Sequence, residues 1–161
     1  MKVKSSLPFH IQHDQFDCGV ACLRNILNFY KAEISLEKLR EWSGTGRQGT
    51  SLLGLHQAAG QAGFIVQGAK ASGIADLRTI EHPCILHVSP DGVLQHYVIY
   101  YPHDGKSRKS DPPAGLPREG LLYLIGDPAK GLVYMTPEEL KKIWITLVLF
   151  KSKLQIDTII K

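Results

Sequence analysis

Cys18 stands where a polar segment, Gln12 to Asp17, gives way to apolar residues at helical spacing. Val20, Leu23, Ile26, Leu27 and Tyr30 follow the i, i+3, i+4, i+7 rule, which predicts a helix whose first turn begins at or just after Cys18. The unpaired N–H groups and partial positive charge of a helix N-terminus favour thiolate over thiol, and they can place an N–H beside an oxyanion. A thiolate nucleophile needs a base and a group that orients the base. His96 opens the apolar run that ends at Tyr101 and is the candidate base; His87, inside the preceding run, is its competitor and reads as core or as a supporting group. Asp127, biased away from helical geometry by Pro128, is the candidate orienter, with an ordinary Asp-Pro turn as the alternative. Gln12, read on its own, is a solvated loop residue.

Two neighbours of the thiol complicate its setting. Asp17 as a free carboxylate would oppose ionisation of the adjacent cysteine; as a helix cap its oxygen turns instead to backbone N–H groups, and capping is the expectation. Cys22 follows one turn later on the same helix face, but metal sites take three or four ligands and no second Cys/His cluster is spaced to complete one. Cys22 and Cys84 are therefore expected in the core, with no metal and no cofactor.

The elements that must position these groups come in two kinds. Lys2 to His10 reads as an extended arm leading to the first helix. Ser35 caps a second helix with Leu36, Leu39 and Trp42, and Thr50 or Ser51 caps a third that Gly63 ends. Strands are then expected at 64–66, 84–88 and 96–101, the last two joined through Pro90-Asp91-Gly92 as an antiparallel hairpin, with a helical turn over 72–77 between the first two. The stretch 102–120, rich in Pro, Gly, Ser and charge, reads as a long exposed loop; 121–125 resumes the sheet and Gly126-Asp127-Pro128 closes it. Thr136-Pro137-Glu138-Glu139 has the features of a helix start, 145–150 is a last strand and 151–161 a tail. Helices first and strands later, without βαβ alternation, indicate α+β with a helical half on a mostly antiparallel sheet.

With 161 residues and 43% hydrophobic content, one domain over 1–150 is expected. Three cysteines do not form a disulfide framework. The net charge of +4 is scattered rather than clustered with aromatics, which disfavours nucleic acid. No apolar run approaches the ~18 residues of a membrane span, and the N-terminus lacks a secretory signal, so a soluble cytoplasmic domain is expected.

Gln12, Asp17-Cys18-Gly19 with Ala21 and Leu23, Gly49-Thr50-Ser51 with Leu55 and Ala58, Gly63-Phe64, His96-Tyr97-Val98 and Asp127-Pro128 fall in an order that resembles one family. It is that of the peptidase domains of bacterial ABC exporters that remove double-glycine leaders from bacteriocins and related secreted peptides. The resemblance covers residues 7 to 150 and implies a papain-like fold with the active site between a helical and a β subdomain. It implies Cys18 as nucleophile, His96 as base, Asp127 as orienter and Gln12 as an oxyanion donor, with Gln15 a weaker candidate for that last role. It further implies cysteine-peptidase activity and a leader peptide as partner; 151–161 is then either a native tail or a linker to the membrane-spanning and nucleotide-binding domains of an exporter, and in the second case the peptidase lies on the cytoplasmic face of the membrane. The loop 102–120 is longer than the family's usual connection, and its Asp104 and Asp111 compete with Asp127 for the orienting role. A domain of this fold that binds without cutting, and a free-standing papain-like hydrolase, are the alternatives.

Overall fold

The structure, a computed structural model, describes residues 7–69, 73–102 and 122–152, with backbone alone for 69 and 146–152. Helices α1 (Cys18–Phe29), α2 (Leu36–Ser43) and α3 (Leu52–Gln61) come first. Strands β1 (Phe64–Ala69), β2 (Cys84–Val88), β3 (His96–Tyr101), β4 (Tyr123–Asp127), β5 (Gly131–Met135) and β6 (Trp144–Ser152) follow, with a 3-10 turn at Ile74–Thr79 and a short helix α4 (Pro137–Ile143) between strands. The six strands form one sheet in the order β1-β6-β2-β3-β4-β5, antiparallel throughout. The α+β expectation holds.

Local chemistry sets the helix boundaries. The Ser35 hydroxyl accepts from Lys38 N–H, and Ser51, rather than Thr50, caps α3 by accepting from Gly54 N–H. Thr136 and Glu139 close a reciprocal capping box ahead of Pro137. At the β2–β3 hairpin Asp91 Oδ1 accepts from both Val93 and Leu94 N–H, at 2.9 and 2.6 Å. β1 is longer than the 64–66 expected, because β6 pairs with it along its length from Phe64↔Ser152 to Ala69↔Leu147. Residues 151 and 152, expected in the tail, belong to that last strand.

The sheet separates two apolar layers. Alternation along β3 sends Tyr97, Ile99 and Tyr101 toward α1, α2 and α3, where they join Val20, Leu23, Ile26, Leu39 and Leu55. Val98 and Tyr100 face the other way, with Cys84, Leu86, Tyr123 and Ile125 under Leu77 and Leu140. α1 lies directly on β3. A Cβ at Gly19 would come within 2.9 Å of Thr50 Cβ and 3.3 Å of the Tyr97 ring, so only glycine lets the first turn of α1 settle this close to the sheet.

Candidate active site

Cys18 is the first residue of α1 and is buried, 7% exposed, at the end of the helix nearest the sheet. Across from it, His96 Nε2 and Asp127 Oδ1 are 2.8 Å apart. Their closeness follows from where the strands stop pairing. The β3–β4 ladder runs from Tyr101↔Leu124 to Ile99↔Gly126, so both residues lie past its last rung. Strict alternation would assign His96 to the face away from α1, with Val98 and Tyr100. As the first residue of β3 it is freed from that face, and the β2–β6 register shifts between His87 and Val88, directly beside the Val88↔His96 pair. Such irregularities sharpen local twist and re-aim side chains.

The His96 ring is hydrogen-bonded to Asp127 through Nε2 and lies close enough to Cys18 for the two side chains to interact. With Nε2 engaged, Nδ1 is the nitrogen left for the sulfur. Burial opposes protonation of the ring, but hydrogen bonds to Asp127 and Cys18 and their negative charges outweigh it, lifting the imidazole from 6.5 to about 9. For Asp127, burial pushes the carboxyl up, while the His96 hydrogen bond, the Ala129 N–H and the nearby charges of His96 and Lys130 bring it below its ordinary value overall. Its Oδ1 also accepts from Ala129 N–H at 2.9 Å. The carboxylate is thus fixed from behind by its own turn and from the front by the imidazole.

Gln12 reaches the same corner along the N-terminal arm. Its backbone N–H donates to Pro128 O at 2.8 Å, one residue after the candidate orienter. One N–H of its side chain donates to Asp14 O at 3.1 Å, which leaves the other for an incoming acceptor. Its Oε1 is buried without a partner. Gln15, the weaker candidate, is exposed.

Asp17 does not do what was expected of it. It holds the N-cap position, but at φ −93°, ψ 3° its backbone is not extended as in a side-chain cap, and its side chain makes no capping hydrogen bond. The carboxylate instead forms a two-point ion pair with Arg40 of α2: Arg40 Nε donates to Oδ1 at 2.9 Å, and a terminal guanidinium nitrogen donates to Oδ2. The Asp17 side chain is only 3% exposed. Hydrogen bonding to Asp17 holds the guanidinium above its ordinary value against a small burial cost. Arg40 is the residue that reading the sequence missed, because nothing local links positions 23 apart. The charge beside the thiol is matched by an arginine from another helix.

Cys22, Cys84 and His87 are packing residues on the two faces of the sheet. Cys22 and Cys84 are fully buried in the two apolar layers, and burial raises both thiols. His87 stacks on Tyr97 with ring centroids 5.0 Å apart, and burial lowers its imidazole despite a hydrogen bond to the Gln95 side chain. Asp104 and Asp111, with the loop that carries them, lie outside the described residues. Among the described residues no three His, Cys, Asp or Glu side chains are grouped to hold a metal ion, and no helix is long and apolar enough to cross a membrane.

Residues 6–115 match the Peptidase C39 family. The chain is 35% identical over 140 residues to the lactococcin-G-processing and transport ATP-binding protein LagD of Lactococcus lactis subsp. lactis, covering 86% of this chain and 18% of that protein. Over 115 residues it is 37% identical to the transport/processing ATP-binding protein ComA of Streptococcus pneumoniae, covering 67% of this chain and 16% of that one. The chain thus spans less than a fifth of the length of the curated relatives it matches. Among solved structures, the peptidase domain of Streptococcus ComA, a bi-functional ABC transporter involved in quorum sensing, superposes with a TM-score of 0.76 at 28% identity, over 91% of this chain and 99% of that one. A double glycine motif protease from an AMS/PCAT transporter, in complex with its leader peptide, gives 0.74 at 26% identity, over 92% and 94%.

Proposed function

Because this chain belongs to the peptidase C39 family, we propose that it is a cysteine endopeptidase that cuts after a Gly-Gly motif and releases the leader from a secreted precursor peptide. The observation that carries the assignment of roles is the His96 ring, tied to Asp127 through Nε2 and close enough to Cys18 for the two side chains to interact. That is the nucleophile, base and orienter of a catalytic triad.

In the proposed reaction, the Cys18 thiolate attacks the carbonyl carbon of the second glycine, and the carbonyl π pair moves onto oxygen. The Cys18 backbone N–H and the free N–H of Gln12 hold that oxyanion. Imidazolium His96 gives its proton to the leaving amine as the C–N bond breaks. Water then attacks the thioester, His96 takes a water proton, and the carbonyl–sulfur bond breaks to return the thiolate. Asp127 keeps the ring turned and its charge compensated throughout. The balance closes with peptide and water alone, and no cofactor enters. A substrate ending in glycines presents no Cβ to a sulfur as enclosed as Cys18.

The relatives are processing and transport proteins several times longer than this chain. The natural partners are accordingly proposed to be a precursor leader and the membrane-spanning and ATP-binding parts of an ABC exporter, with this domain, over 1–150, on the cytoplasmic side of the membrane. Incubating the purified chain with a synthetic peptide that carries an amphipathic leader, Gly-Gly and several following residues should give a single cut after the second glycine. The same peptide with Gly-Gly replaced by Ala-Leu should stay intact. Binding without cleavage by the wild-type chain would overturn the peptidase reading, and equal cleavage of both peptides would overturn the glycine requirement.

A further inference from the structure

Asn25 sits in the interior of α1, where asparagine is a mediocre helix former, and it is 2% exposed on a helix whose buried positions are otherwise almost all apolar. Its side chain is fully used. Oδ1 accepts from His10 N–H at 2.8 Å, Nδ2 donates to His10 O at 2.9 Å, and Nδ2 also donates to Ala21 O at 2.9 Å. The first two bonds grip both polar groups of one backbone residue, in the manner of a strand pairing, although His10 belongs to no strand. Asn25 follows Cys18 by seven residues, two helical turns, and so lies on the same face of α1 about 10 Å along the axis. His10 precedes Gln12 by two residues. From its grip at Asn25 the arm must run back toward the N-terminal end of α1 to join it at Asp17.

Two further anchors act on the same arm. The Phe9 ring covers Gly126 of β4, where a Cβ would meet Phe9 Cε2 at 2.3 Å, and it packs edge-on to Tyr101 with centroids 6.3 Å apart. Beyond His10, the Gln12 N–H reaches Pro128 O. The arm is therefore held at residues 9, 10 and 12, by β4, by α1 and by the turn after Asp127. Asp127 itself is held independently, through the β4–β5 pair Asp127↔Gly131.

We propose that Asn25, assisted by Phe9, is a positioning residue for the oxyanion donor: it fixes the arm so that the Gln12 amide is held beside the nucleophile that the same helix presents two turns earlier. The proposal rests on the reading of Gln12 as an oxyanion donor. A short free arm could supply the same amide only part of the time, and a misplacement of about 1 Å at a catalytic group costs on the order of 100-fold in rate.

The test is a double-mutant cycle on the full chain, reading kcat and KM for cleavage of the Gly-Gly peptide, with thermal melts and full pH profiles. Gln12→Ala by itself tests the underlying reading and should lower kcat; if kcat is unchanged, Gln12 is not an oxyanion donor and the proposal goes with it. Given that loss, Asn25→Ala should lower kcat roughly 10- to 100-fold with KM within about twofold, and should cost less than about twofold when added to Gln12→Ala. The alkaline limb of its pH profile should stay where the wild-type limb lies, since Asp127 and His96 keep their contacts. Equal losses from Asn25→Ala in both backgrounds, or a loss confined to KM, would overturn the proposal. Should Asn25→Ala fail to fold, Phe9→Ala loosens the same arm from its other anchor and must show the same non-additivity with Gln12→Ala; additive losses there overturn it equally.

Discussion

Asp127→Asn separates the charge of the proposed orienting residue from its hydrogen bond. The carboxamide oxygen can still accept from His96 Nε2, so the ring keeps its direction, but the negative charge that favours imidazolium is gone. The rise of the His96 imidazole from 6.5 to about 9 corresponds to ~3 kcal/mol of preference for the charged ring, at ~1.4 kcal/mol for each tenfold. Burial acts in the opposite direction, and Cys18 supplies the part of the rise that Asp127 does not. Without the carboxylate the ring should titrate well below about 9, and at pH 8 each pH unit by which it then falls short lowers its protonated fraction about tenfold. The expected result is a roughly tenfold slower reaction at pH 8, with the alkaline limb of kcat/KM moved from about 9 toward neutrality and most activity regained near pH 6. Asp127→Ala, which also releases the ring, should be slower at every pH. Stability should follow the same pair. The His96 contribution is fully present below 6.5 and is lost as pH rises through about 9, whereas that of Asp127 is present above 3.8 and is lost as pH falls through its lowered folded value. Wild type should thus melt highest between these limits, and Asp127→Asn should flatten that maximum. An alkaline limb that stays near 9 in Asp127→Asn, or that moves in Asp111→Asn instead, refutes the assignment of the carboxylate.

Cys18→Ala should abolish cleavage while the melting temperature stays near wild type, and appreciable residual turnover would remove Cys18 as nucleophile. Gln12→Ala should lower kcat by about 100- to 1000-fold, the loss typical of one oxyanion donor, with little change in KM; a loss in KM alone would place Gln12 in substrate binding. Arg40→Ala strands the buried Asp17 carboxylate and should cost roughly 1–3 kcal/mol in urea unfolding. Asp17→Asn/Arg40→Ala should recover most of that loss, and a double variant no more stable than Arg40→Ala would show that the arginine acts by something other than its charge.

What could be read from the sequence is what local pattern encodes. Periodicity marked α1, and cap chemistry marked the starts of α2, α3 and α4, because a hydroxyl and an N–H three residues on report on each other without help from the rest of the chain. The same logic failed at Asp17. An aspartate before an apolar run signals a cap, but the backbone there does not take the extended form a cap needs, and an arginine 23 residues away offers the buried carboxylate a stronger, two-point partner. Nor does any local signal place β6 between β1 and β2, since strand order is settled by long-range pairing. Asn25 left one faint trace, a polar residue on a face that periodicity marks as buried. Such a residue must find partners, but the sequence cannot say that they are the two polar groups of His10.

Pairing also explains why the proposed reactive corner sits at an end of the sheet. Inside the ladder a histidine and an aspartate on adjacent strands would be committed by alternation to one face, here the layer opposite α1, with Val98, Tyr100, Tyr123 and Ile125. There they would be buried far from any thiol on α1. By stopping the β3–β4 pairing at Ile99↔Gly126, the fold releases His96 and Asp127 from that rule while keeping each anchored by its other neighbour, His96 to Val88 and Asp127 to Gly131. The glycine at 126 serves both sides of this arrangement. It is the last rung before the released pair, and its missing side chain is the space into which Phe9 settles, so the strand end that frees His96 and Asp127 is also the surface on which the Gln12 arm is laid. Gly126→Ala would therefore strike both halves of the site through one methyl group, by lifting the arm and by disturbing the strand end that carries Asp127.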